Sequence, residues 1–178
     1  MSCGIATTDK FNGDTKCETP TLTEDGIKTA FERILRKLAL DRTEMINDLK
    51  EVQRMVGDDS GLKEEKSCLM AKHDAISEML LQAIRQNATV AQDQVEYNDR
   101  HDKLAKEDAD LVAEIARVDK AIVEKRRNAD RIRLFIHGLM TSTEVFTEEL
   151  WCTMVEKVTV FPDGRMMFTL TCGKDVEA

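Results

Sequence analysis

The sequence predicts a mainly α-helical protein, in which an antiparallel coiled-coil arm on a helical base is closed by a small β-hairpin. Three observations predict this fold. Charged residues make up 34% of the 178 positions and aromatic residues only 4%, which favours exposed helices over a compact α/β core. Apolar residues recur every seven positions from Leu104 to Leu139, with Lys125 as the one exception. Near the carboxyl terminus, Asp163-Gly164 separates two short β-prone runs.

The first predicted helix follows a polar, glycine-containing stretch over residues 1–16, which has no apolar period and is expected to be loop or short strand. Thr21 and Glu24 have the spacing of a capping box, and Thr23 is a competing cap. A three-four spacing of apolar residues then predicts one amphipathic helix that ends near Val56. Its apolar positions are Ile27, Phe31, Ile34, Leu38, Met45, Val52 and Met55.

Two further helices are predicted beyond a breaker cluster at residues 57–61. The second helix repeats an apolar residue every seven positions and reaches about Asn87. The amide-rich residues 86–100 predict a reversal. The third helix carries the clearest heptads, which favour supercoiling against the second helix in antiparallel orientation, with His73, Asp108 and Lys125 as polar interruptions. The predicted seam of the third helix consists of Leu104, Leu111, Ile115, Val118, Ile122 and Ile132.

The end of the chain predicts a short helix and then a hairpin. Thr147 begins the helix, which includes Trp151, and residues 158–161 and 165–170 flank the turn at Pro162-Asp163-Gly164. Two strands alone are marginal in water. We therefore expect the sheet to be completed by strands from residues 1–17 or, failing those, to pack on helices through Trp151.

Composition and charge exclude several classes of protein. No apolar run approaches the roughly 18 residues that span a bilayer, and the amino terminus lacks a secretion signal, so a soluble, cytoplasmic protein with no membrane partner is expected. Five scattered cysteines do not predict a disulfide framework. A net charge of −8 argues against indiscriminate coating of nucleic acid.

One basic segment departs from this acidic balance. Residues 117–133 hold seven basic and three acidic side chains, which form either a solvated helix face or a contact with phosphates. The candidate DNA-binding residues there are Arg126, Arg127, Arg131 and Arg133.

No pattern of catalytic residues is present. The sequence has no glycine-rich phosphate loop, nucleophile elbow or Ser/His/Asp arrangement, so neither catalysis nor a small-molecule substrate is expected. Cys3 and Cys17 are either two unrelated thiols or the remnant of a metal site, which usually needs four ligands in two close pairs. The three histidines and the other cysteines are expected to have packing or surface roles; they are His73, His101, His137, Cys68, Cys152 and Cys172.

Three stretches together resemble the carboxyl-terminal region of large serine recombinases, the site-specific recombinases of transposons and phages. Residues 17–31, CETPTLTEDGIKTAF, resemble the passage from the zinc ribbon into the coiled coil. Residues 87–100 resemble the distal part of that coil in transposon-borne members. Residues 150–170, with Val-Glu-Lys-Val-Thr-Val and Asp-Gly-Arg, resemble the strand pair that returns to the ribbon.

The resemblance implies an organisation and a function. Residues 1–22 would be the remnant of a zinc ribbon, residues 23–146 the helical base and coiled coil, and residues 147–178 the return to the ribbon. Cys3 and Cys17 would be half of a four-cysteine zinc site. The chain would be a non-catalytic fragment of a bacterial DNA recombinase that lacks the catalytic serine domain. Its arm would contact sister subunits during synapsis, with DNA and an accessory directionality protein as further partners.

One alternative stays open at this point. A stand-alone coiled-coil interaction or structural protein of the cytosol, with no DNA role, has the same heptads and needs no metal at Cys3 and Cys17.

Overall fold

The computed structural model describes residues 22–178, and these residues form a mainly helical protein with a small antiparallel sheet. The predicted mainly α fold with a closing hairpin is confirmed. The predictions about Cys3, Cys17 and strands within residues 1–17 lie outside the described residues. The elements are α1 Glu24–Leu40, α2 Arg42–Gly57, α3 Ser60–Thr89, α4 Gln94–Thr141, α5 Glu148–Met154, β1 Val155–Val160, β2 Met166–Leu170 and β3 Asp175–Glu177.

The described residues divide into two compact units. The base unit contains residues 22–55 and 129–178, and the arm unit contains Val56–Asn128. Helix α4 contributes its first part to the arm unit and its end to the base unit. Within the base unit, Phe31 of α1 contacts aromatic rings of α5 and β2.

The predicted first helix is two helices, so that expectation was wrong in one respect. Thr23 is the cap of α1, since its hydroxyl accepts a hydrogen bond from the Gly26 backbone nitrogen at 3.1 Å. The helix stops at Asp41, whose backbone angles (φ −112°, ψ 24°) are not helical. No fully buried side chain lies between Leu38 and Leu49. Packing therefore does not hold the chain in one continuous helix across Asp41.

The core of the base unit is organised around Phe31 on α1. Its ring lies 5.3 Å from the Trp151 ring of α5 and 6.3 Å from the Phe168 ring of β2, measured between centroids. Phe146 adds an edge contact at 6.1 Å. Such edge and offset contacts stabilise beyond simple burial. The other buried apolar residues of this unit are Ala30, Ile34, Leu35, Leu38, Leu49, Ile132, Phe135, Ile136, Leu139, Leu150, Met154 and Leu170.

The sheet has the strand order β1-β2-β3, with both pairs antiparallel. Val158 pairs with Phe168 in the predicted hairpin, and the Gly164 nitrogen donates to the Phe161 oxygen at 2.9 Å in its turn. Gly164 has φ +86°, the left-handed conformation that follows a type I turn in such hairpins. Strand β3 was not predicted. A second turn of the same kind, with Gly173 at φ +88°, returns it to β2.

The hairpin is supported on one edge and on one face. Among the described residues, β3 covers the edge, and the helical packing of Trp151 and Phe31 covers the face. This support corresponds to the second of the two predicted arrangements, in which the sheet packs on helices through Trp151.

No helix within residues 22–178 combines the length and apolarity needed to cross a membrane.

Candidate functional site

The candidate site is the arm unit, in which α3 and the first part of α4 run antiparallel. Only four residues, 90–93, connect the two helices, so the helices extend well into the region predicted as a reversal. The Asp93 carboxylate accepts a hydrogen bond from the Val95 nitrogen at 2.8 Å and caps α4. Asn87 accepts hydrogen bonds from the side-chain amides of Gln92 and Gln94 at 3.0 Å each. The amide side chains thus close the turn.

An apolar seam holds α3 against α4 in the part of the arm near the α3 amino terminus. Leu69, Val118 and Ile122 are buried there, and Leu62, Leu111 and Ile115 pack against them. Leu104, farther toward the turn, is only half-buried. Ile132, the sixth predicted seam residue, is buried in the base unit instead. The heptad spacing of α4 continues beyond Lys125 to Leu139, so the sequence pattern does not mark where α4 stops packing in the arm unit and starts packing in the base unit.

Polar contacts interrupt the seam in the middle of the arm. The His73 Nε2 lies 3.3 Å from the Asp108 Oδ1, and the Ser77 hydroxyl donates to the same oxygen at 3.0 Å. The Lys66 ammonium contacts the Asp119 carboxylate at 2.7 Å. Polar seam residues set register at some cost in stability.

Of these partners, Ser77 and Asp119 were not predicted. Ser77 lies one helical turn after His73, and Asp119 follows the seam residue Val118. An antiparallel alignment of the heptads of α3 and α4 would therefore have placed both residues beside the seam.

The Asp59 carboxylate at the start of α3 contacts two cationic side chains. Asp59 is buried, and its oxygens contact the Lys63 ammonium at 2.7 Å and the Arg126 guanidinium at 3.0 Å. The hydrogen bond from Lys63, followed by that from Arg126, holds the pKa of the Asp59 carboxyl below its usual value although burial opposes this. Lys125 also donates to the Asp58 backbone oxygen at 2.9 Å. Together these contacts join α3 to α4 at this end of the arm.

Each of the four candidate DNA-binding arginines contacts a carboxylate. Arg126 and Arg127 belong to the arm unit, whereas Arg131 and Arg133 belong to the base unit. The pairs are Arg126 with Asp59 at 3.0 Å, Arg127 with Glu124 at 3.5 Å, Arg131 with Glu156 at 2.8 Å and Arg133 with Asp130 at 3.0 Å. The local excess of positive charge is therefore partly offset where the arginines lie.

The remaining candidate residues lie apart from one another. Within residues 22–178 no group of three or more histidine, cysteine or acidic side chains is placed to hold a metal ion. His101 lies beside Tyr97, with 5.8 Å between ring centroids, and His137 is exposed on α4. Cys68 and Cys152 are exposed, and Cys172 is partly buried.

The burial of Cys172 predicts a difference in thiol reactivity. Burial raises the pKa of its thiol, so less of the reactive thiolate is present near neutral pH. In single-cysteine variants at pH 8, we expect Cys68 to react several-fold faster than Cys172 with a disulfide reagent that releases a chromophore. The same comparison in urea is the control, because unfolding removes the burial and should bring the two rates together. Equal rates in the folded proteins would contradict the structure around Cys172.

The arm has a long apolar seam, polar contacts within that seam and broad helical faces beside it. These features suit association with other proteins. Comparison of the chain with protein-family models, with curated proteins and with solved structures finds no match. The function of the chain is therefore inferred from its own residues and their geometry.

Proposed function

We propose that this chain is the non-catalytic interaction module of a bacterial site-specific serine recombinase, acting in the cytoplasm, and that its arm contacts sister subunits during synapsis of DNA sites. The observation that supports the proposal most is the order of the two units. The base unit is built from two segments that flank the arm unit in sequence. A coiled coil inserted into a small domain that closes with a hairpin is the organisation that the sequence resemblance implies.

The chemistry of the arm suits contacts that form and exchange. The apolar seam around Val118 stabilises each arm. The contacts of Asp108 with His73 and Ser77 disfavour other registers of α3 against α4. Each arm therefore keeps one structure while its outer faces remain available to partners.

Zinc, DNA and an accessory directionality protein are secondary parts of the proposal. Cys3 and Cys17 would supply two thiolates of a structural zinc site, which takes four ligands. Zinc content before and after a Cys-x-x-Cys segment is added to the chain measures this part directly. Contact of the four arginines with DNA is the weaker part, because each already has a carboxylate partner.

A second candidate is a stand-alone coiled-coil adaptor with no DNA role. The pairing of all four arginines and the net charge of −8 favour it over direct DNA contact by this chain. It makes no use of Cys3 and Cys17.

A chimeric recombinase tests the two candidates. The chain replaces the corresponding carboxyl-terminal region of a large serine recombinase whose DNA sites are known, and paired-site complexes are counted by gel shift. We expect the chimera to pair its sites. We expect a second chimera, with residues 60–128 replaced by a short Gly-Ser linker, to bind single sites without pairing them, because only the arm has been removed.

The controls separate folding from function. Single-site binding by both chimeras shows that the grafted proteins are intact. The recombinase proposal is contradicted if the chimera that keeps the arm binds single sites but never pairs them. The salt dependence of single-site binding addresses the arginines. If Arg126 and Arg127 contact phosphates, their replacement by glutamine should reduce the slope against salt concentration by about one per contact. An unchanged slope contradicts DNA contact by these residues.

A further inference from the structure

We propose that one face of the arm binds the same face of a second copy of this chain, with the two arms antiparallel. This face, which we call the apolar face, consists of Met70, Leu81 and Ile84 on α3 with Ala105, Ala109, Val112, Ala116 and Val123 on α4. The inference rests on the proposed role of the arm in subunit contacts and adds which face is used and in which orientation.

The contacts across the seam define the two faces. Lys66 reaches Asp119, and Ser77 reaches Asp108, on the side of the seam that carries the apolar face. Glu65 contacts Arg117 on the opposite side, at 3.2 Å. In an antiparallel pair of helices each side of the seam is formed by matching heptad positions of both helices. The residues of the apolar face therefore lie together along one side of the arm.

The two sides differ sharply in chemistry. On the apolar face the large aliphatic side chains are about half exposed: Met70 46%, Leu81 55%, Ile84 48%, Val112 50% and Val123 58%. Alanines between them on α4 leave room for a close approach of another helix. The opposite side of α4 carries Lys103, Glu107, Asp110, Glu114, Arg117 and Glu124. Charged residues keep that side in water. The apolar face borders charged groups as well, among them the Lys66–Asp119 pair, but its aliphatic side chains gain from burial.

An open depression of about 390 Å³ lies beside Met70 on α3 and is lined by Lys63, Lys66, Ser67, Met70, Ala71 and Asp74. Three of these six residues are charged, so the apolar contact that a second arm finds there is with Met70 and Ala71.

The two halves of the arm differ in charge. The proximal half of the arm, residues 56–73 and 111–128, holds eight basic and seven acidic side chains. The distal half, residues 74–110, holds nine acidic and four basic side chains. Antiparallel packing places the negative distal half of each arm beside the nearly neutral proximal half of the other, whereas parallel packing places the two negative halves side by side. The charge distribution therefore favours the antiparallel arrangement of two arms.

The area available fits a weak, reversible contact. Residues 63–84 of α3 span about 33 Å at about 1.5 Å per residue, and two adjacent helices are about 20 Å wide. The face then buries about 650 Å² on each copy, or about 1,300 Å² in total, near the lower limit for specific complexes. A contact of this size holds two subunits together and still releases them.

A matched pair of substitutions on one helix tests the face. Met70 and Met79 are exposed to 46% and 50%, but only Met70 lies on the apolar face. The full chain and its Met70→Gln and Met79→Gln variants are compared by sedimentation over a range of concentrations. Glutamine keeps the size and charge of the side chain and changes its polarity. Because a symmetric contact contains each residue twice, we expect Met70→Gln to raise the dimer Kd about tenfold and Met79→Gln to leave it unchanged.

Two outcomes overturn the choice of face: a chain that stays monomeric at millimolar concentration, and equal effects of the two substitutions. Helix content by circular dichroism is the control for folding, and both substitutions at these exposed positions should leave it unchanged.

Cross-linking tests the orientation. In a background with all five cysteines replaced by serine, chains with Ser67→Cys are mixed with chains carrying Ile84→Cys. Antiparallel arms bring position 67 of one copy near position 84 of the other, so we expect mixed disulfides to exceed those between identical chains. An excess of disulfides between identical chains overturns the antiparallel arrangement.

Failure of this inference is distinguishable from failure of the proposed function. If the chimera pairs its sites equally well with and without the Met70→Gln substitution, the recombinase role stands and the apolar face is overturned. If the arms dimerise as described while the chimera never pairs its sites, the apolar face stands and the recombinase role is overturned.

Discussion

Replacing Phe31 by alanine is expected to lower the free energy of unfolding of the base unit by about 4 kcal/mol. The Phe31 side chain is completely buried, and its ring contacts the rings of Phe146, Trp151 and Phe168. Truncation removes these contacts and leaves a cavity between α1 and the sheet. The aromatic rings around it are held by other elements, so the cavity has little scope to collapse.

Urea unfolding followed by tryptophan fluorescence measures this effect. The chain has one tryptophan, Trp151, which lies in the base unit beside Phe31 and reports on that unit alone. The matched control is Leu40→Ala on the same helix, where the side chain is 83% exposed and a change below about 0.5 kcal/mol is expected. Similar losses for the two variants would show that Phe31 is not the centre of the core.

The second large effect is expected in the arm, where Val118→Asp should disrupt the packing of α3 against α4. Val118 is only 1% exposed, and it packs in the cluster with Leu69 and Ile122. A carboxylate placed among these apolar side chains loses its hydration, which costs on the order of 4 kcal/mol or more. Such a cost is comparable with the whole stability of a small helical unit.

The control is the same change at Val123, which lies on the same helix and is 58% exposed. Both variants are compared in dilute solution, so that association of arms does not contribute. We expect Val118→Asp to lose much of the helical signal in circular dichroism and the slow hydrogen exchange of residues 60–128. Val123→Asp should keep both. Unchanged exchange in the arm of Val118→Asp would contradict the packing of the seam around Val118.

Local patterns explain why the mainly helical fold was predictable. The heptads of the third predicted helix depend on residues three and four apart, and α4 spans the whole pattern from Gln94 to Thr141. The hairpin was predictable for the same reason. Pro162, Asp163 and Gly164 stand in a turn whose geometry depends on those residues alone.

Other features depend on contacts between residues distant in sequence. The break at Asp41 follows from where packing ends on α1 and begins again on α2. Strand β3 is only three residues long, which is too short for an alternating apolar pattern to be recognised in the sequence. The strand is identified by its pairing with β2. The ion pairs of Arg126 and Arg131 were not predictable from the segment, because their carboxylate partners Asp59 and Glu156 lie far away along the chain.

The sequence by itself determined the kinds of element, the antiparallel pairing of the arm and the turn of the closing hairpin, because these depend on periodicity and on the backbone preferences of neighbouring residues. Only the tertiary structure decided where α4 changes partners, which polar residues meet in the seam, and which side of the arm keeps its aliphatic residues exposed. Those features depend on which side of each helix is covered by neighbouring elements of the fold. Burial is a property of the packed chain, and the same heptad residue is buried at Ile132 by the base unit and at Val118 by the arm.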